Sequence, residues 1–298
     1  MSETDRPAGA TLASGPIEAT FLPGLGMLGL SLRHRGDQLL ALPGGLDGYT
    51  AGNVTGLPLL APWANRLGTP RYEVEGVAVD IAGLDLPTDG RGLPIHGTMT
   101  AQPGWEVVAQ DERSLEARFD YGARPDLLAA FPFRHELRIA ASVDPAGLTM
   151  TTTVAATTDR AVPVAFGYHP YLRLPGVARS EVRLRLPARR HLALDDRQLP
   201  TGAAHAEEAE DLPIGERTFD DLYSLGDDRV LTLDGGGRRL TVELGDGFPY
   251  AQVFAPPGAE FACLEPMTAP VNAVVDGGYP LAPPGTPFMA TFRLGVAG

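Results

Sequence analysis

A chain of 298 residues with a formal net charge of -13 and one cysteine, Cys263, can bury a large core. It offers no basic face for nucleic acid and can close no internal disulfide. All 24 basic residues are arginine, which removes Schiff-base chemistry, a phosphate-loop lysine and a lysine general base.

Glycine (36) and proline (28) together make about a fifth of the chain, against roughly 12 % in an ordinary protein, a punctuation suited to short strands and turns. Residues 1–14, "MSETDRPAGATLAS", lack the basic and apolar regions of a leader and read as a flexible tail. Alternating runs follow at 17–22, 27–34, 71–81, 104–110 and 114–121. Residues 133–143 and 147–157, joined through "DPAG", read as a hairpin. Further strands are expected at 161–172, 181–187, 229–244, 250–255, 259–266 and 287–296. The polar stretch 195–221 reads as a long surface excursion, and "GGGRR" at 235–239 as a hairpin tip. No sustained helical period and no break in composition occur. The expectation is an all-β domain over 15–298, in large antiparallel sheets packed face to face. No apolar run approaches the roughly 18 residues of a membrane span. The lone cysteine fits a reducing cytoplasm.

"GLGMLG" at 24–29 satisfies a dinucleotide pattern, but "LSLRHRG" continues it as a strand, so a glycine turn is the better reading. The six histidines (His34, His96, His135, His169, His191, His205) show no pair at metal-ligand spacing, and neither metal nor cofactor is expected. Four segments hold polar residues in apolar surroundings. "PWANRLG" supplies Asn65 and Arg66, a fan of donors for sugar hydroxyls or a developing oxyanion, or simply a surface arginine capping carbonyls. "LPIHGTM" supplies His96, where a packed, satisfied ring is the plainer reading. In "AVPVAFGYHPYL", Pro163, Ala165 and Gly167 share the face of His169, and this bare face reads as room for a small substrate beside a proton partner. In "FACLEPMTAPVNAV", Phe261, Cys263 and Glu265 share one strand face that Pro266 ends. A glutamate in an apolar strand needs a partner or a function, and burial raises its pKa toward general-base range.

In this order "WANRLG", "PIHG", "YHPYLRL" and "CLEPMTAPVNA", with "LPTG" at 199–202 and "FDDLY" at 219–223, resemble the aldose 1-epimerase (galactose mutarotase) family from about residue 15 to 295. The resemblance implies a β-supersandwich and a cofactor-independent isomerase that interconverts the α and β anomers of an aldohexose. It makes Glu265 the general base at the C1 hydroxyl and His169 the general acid at the ring oxygen, on opposite sides of one acetal-like centre. Asn65, Arg66 and His96 would hold sugar oxygens. Asp220 matches a sugar-binding aspartate through Asp220-x-x-Tyr223, with Asp221 the alternative register. The family's glutamine in the strand before the base has no clear counterpart, because Gln252 fits poorly. A hexose-6-phosphate 1-epimerase using Arg71, Arg91 or Arg173, and a non-catalytic carbohydrate-binding protein, are the alternatives. The implied partner is a small sugar, with the chain as monomer or homodimer.

Overall fold

A computed structural model describes residues 8–298. Strands dominate, and the α-helices among the described residues are the short segments Gly45–Thr50, Pro125–Leu128 and Ala273–Asp276. None is long and apolar enough to cross a membrane. A nine-stranded antiparallel sheet runs, edge to edge, through Glu210–Pro213, Arg183–Leu186, Val230–Gly235, Arg238–Leu244, Phe288–Ala297, Gly147–Ala156, His135–Asp144, Ser114–Asp120 and Glu106–Gln110. A second sheet runs through Pro200–Glu207, Arg189–Leu194, Phe219–Leu225, Tyr250–Ala255, Ala262–Met267, Gly167–Tyr168 and Leu59–Leu60, with Tyr171–Leu172 also paired to Ala262–Met267. Their facing sides share one core, which joins Leu148, Met150, Leu240 and Phe292 of the first to Ala251, Val253 and Leu264 of the second.

The alternation that marks half-buried strands is plain in His135–Asp144, where every second residue is buried. Asp144 opposes Gly147 across the "DPAG" turn. The "GGGRR" tip is a hairpin turn, with Gly235 opposite Arg238 and both Gly236 and Gly237 at positive φ. Residues 71–81 are two strands, Arg71–Val74 and Val77–Asp80, because Glu75 and Gly76 turn the chain at positive φ. By contrast Ala262–Met267 is buried at every residue: one face lies in the core and the other in the site described below.

Three expectations need correction. The tail does not extend to residue 14, because Ala10–Ser14 pairs with Ile17–Leu22 and buries Ala10 and Leu12; residues 1–7 lie outside the described residues. Nor is 195–221 an excursion. Pro200–Glu207 and Glu210–Pro213 are the edge strands of the two sheets, and edge strands tolerate polar residues because one side lacks a partner. Pro266 does not end its strand, which continues to Met267.

Candidate active site

The site begins with the register of one strand. In Ala262–Met267, Met267 opposes Gly167 and Cys263 opposes Tyr171. The same register puts position 169 opposite position 265. The His169 N–H donates to the Pro58 carbonyl at 3.3 Å, on the side away from this strand. His169 therefore stands beside Glu265 as a cross-strand neighbour, with Nε2 3.2 Å from Oε1. On the other side Gln252 opposes Glu265, and Leu222 opposes Gln252. One row across the sheet thus reads Leu222, Gln252, Glu265, His169.

Gly167 is bare for a different reason than a substrate. A Cβ there would stand 2.2 Å from Met267 Sδ and 2.7 Å from the Pro266 carbonyl oxygen, so protein already fills the space. Glu265 and His169 do not flank a hollow either; they touch. Tyr171 stacks on the His169 ring with centroids 4.5 Å apart, and His96 meets that ring edge-on at 5.6 Å. Phe254 closes a further side at 5.9 Å.

His96 reaches this position through strained backbone. His96 and Asn65 both adopt positive φ, and His96 N–H donates to the Asn65 carbonyl at 3.0 Å. Gly97 follows at positive φ, where a Cβ would fall 2.1 Å from the Ala61 carbonyl oxygen, so only glycine lets these loops meet. Asn272, also at positive φ, accepts from Gly68 N–H and donates its own N–H to the Arg66 carbonyl, which pins the Arg66 loop to the segment after Glu265. Arg66 Nε then donates to Asp89 at 2.8 Å, and Nη2 donates to Asp220 Oδ2 at 3.4 Å. Gln252 Nε2 donates to Asp220 Oδ1 at 2.8 Å. Asp221 points to the opposite face, toward His191, so the aspartate in the site is Asp220. The Asn65 side chain is buried and makes no hydrogen bond to described residues.

Gln252, set aside on sequence grounds, is an integral member of this row. Its signal was in the strand period: position 252 lies on the Asp220 face of the neighbouring strand. Asp89 was missed because a turn aspartate in "PTDGRG" carries no chemical signature of its own.

Burial dominates the electrostatics. It raises the Glu265 carboxyl well above the usual range, helped by Asp220 and opposed by Arg66. Burial likewise pushes His169 down to about 3 and His96 well below an ordinary imidazole. Burial thus disfavours the charged form of both Glu265 and His169. Four buried polar atoms here have no partner among the described residues: Glu265 Oε2, His169 Nδ1, Gln252 Oε1 and His96 Nδ1. Buried polar atoms are normally paired, so four orphans around the Glu265–His169 contact indicate a place for a polar ligand. A surface groove of about 500 Å³ lies among Glu18, Arg33, Gln38 and Asp47 and holds none of these residues.

The aldose 1-epimerase family model matches residues 30–285. This chain belongs to the aldose 1-epimerase family. Its fold is the galactose mutarotase-like one. It is similar to a galactose mutarotase-like protein from Clostridium acetobutylicum, with TM-score 0.83 and 20% identity over 97% of this chain and 94% of that one. A protein from Synechocystis sp. PCC 6803 gives 0.81 and 21% over 100% and 98%. The galactose 1-epimerase of Lactobacillus acidophilus NCFM gives 0.77 and 16% over 96% and 93%. No curated protein matches the chain. Family membership makes the protein an isomerase of the epimerase type acting on a sugar.

Proposed function

We propose that the protein interconverts the anomers of a neutral aldohexose, with Glu265 as general base and His169 as general acid. The observation that carries this is the buried Glu265–His169 pair at 3.2 Å, surrounded by unpartnered polar atoms. The C1 hydroxyl and the ring oxygen are bonded to the same carbon, so an acid and a base standing side by side serve both at once. With the proton on His169, the Glu265 carboxylate takes the C1 hydroxyl proton. His169 gives its own to O5 as the C1–O5 bond breaks and the C1 carbonyl forms. The pair is then a protonated carboxyl and a neutral imidazole, the forms that burial favours. Rotation about C1–C2 and reversal of both transfers closes the other anomer. Each positioned group contributes about 10² to 10⁴-fold.

Asp220, Gln252, His96, Asn65 and Arg66 supply donors and acceptors for the hydroxyls. The charge around them favours a neutral sugar over a phosphorylated one. Arg66 is already engaged by Asp89 and Asp220. Arg71 is exposed and paired with Asp80, and Arg173 Nε donates to the Gln38 carbonyl. Polarimetry on a pure anomer tests the reading: glucose equilibrates much faster than its 6-phosphate. A preference for the phosphate overturns the neutral-sugar assignment, and sugar binding without anomer exchange overturns catalysis.

A further inference from the structure

The histidines that chain spacing leaves scattered include two that strand pairing brings together. His191 in Arg189–Leu194 and His205 in Pro200–Glu207 are register partners, with ring centroids 4.9 Å apart. Glu207 lies two residues beyond His205 and so shares its face of the sheet. This is the face opposite the Glu265 row, at the free edge of the same sheet.

We propose that His191, His205 and Glu207 bind a divalent transition-metal cation of the zinc type. His191 Nδ1 is 2.8 Å and His205 Nε2 3.1 Å from Glu207 Oε1, and one ligand atom from each residue lies within 4.8 Å of the others. A tetrahedral ion with bonds of about 2.0–2.1 Å to nitrogen holds its ligands roughly 3.3 Å apart, so a small spreading of this cluster admits it.

Two further contacts orient these ligands. His191 Nε2 stands 3.3 Å from Asp221 Oδ1, so both of its nitrogens face carboxylate oxygens. A neutral imidazole has one N–H and can satisfy only one of them. A metal on Nδ1 leaves the Nε2 proton for Asp221, the carboxylate–histidine–metal arrangement that orients such ligands. Arg189 Nη2, 2.6 Å from Glu207 Oε2, occupies the other oxygen of that carboxylate and leaves Oε1 to the ion. The His205 side chain is 60% exposed, which opens the fourth position to water. Asp221 belongs to Phe219–Leu225, so the ion would tie the edge hairpin to the strand that carries Asp220.

The test is calorimetric titration of the tag-free full chain with Zn2+, with Co2+ absorption spectra reporting geometry. The expected result is one equivalent bound per chain, a raised Tm, and Co2+ bands of tetrahedral intensity. His205→Ala, exposed and outside the core, lowers affinity at least tenfold while unliganded Tm and anomerisation rate stay at wild-type values. Glu207→Gln does the same to affinity. Absence of binding by the wild-type chain at micromolar Zn2+ overturns the proposal, as does binding that His205→Ala leaves unchanged.

Discussion

His135 and His169 occupy nearly the same physical situation. Each is buried, each stacks on a tyrosine (Tyr121 at 4.4 Å, Tyr171 at 4.5 Å), and burial lowers each pKa, to about 4 and about 3. The difference is the partner. His135 Nδ1 meets the Phe133 carbonyl at 2.7 Å, which can only fix its proton. His169 Nε2 meets Glu265, which can exchange one. Burial and aromatic packing prepare a histidine for either role, and the titratable neighbour decides which.

The largest expected break of this comparison is Glu265→Gln, which keeps the shape and a donor toward His169 but removes the exchangeable proton. It lowers kcat for anomerisation by about 10³-fold. Its Tm at pH 7 is no lower than wild type, since a carboxyl with a raised folded pKa loses its stabilising contribution as pH rises above 4.5. His169→Asn lowers kcat by about 10²-fold, whereas His135→Asn leaves kcat within about twofold and costs about 1–3 kcal/mol of stability. Asp220→Asn lowers kcat/KM by about tenfold through Arg66 and Gln252, and Asp221→Asn leaves it unchanged; steady-state kinetics separates the two. The smallest effect is common to both histidines. Their folded values lie below the 6.5 of an unperturbed imidazole, so the unfolded chain takes up protons first on acidification. Stability is full above about pH 6.5 and falls toward about pH 4, which thermal melts across that range record. Activity that outlasts pH 6.5 on the acid side, as far as the fold persists, follows from the same depression of His169.

Much of this was legible in the chain. Strand period and turn residues locate most strands, because alternation and glycine act locally: Ile17–Leu22 and Tyr250–Ala255 begin and end where the pattern does. Glu265 and His169 stand out as polar residues in apolar runs. What local pattern cannot carry is cross-strand register. Contact between Glu265 and His169, the place of Gln252 beside them and the choice of Asp220 over Asp221 all follow from which residues oppose one another. The edge strands within 195–221 escaped for a related reason: with one side unpaired, they need no apolar rhythm.

The register that joins the pair has a consequence for how the sequence can vary. His169 and Glu265 meet through alignment of two neighbouring strands, so a single insertion or deletion in either would turn one of them to the far side and leave its companion alone. The two groups thus stay together or separate as one, while the edge strands Pro200–Glu207 and Glu210–Pro213 lie outside this seam.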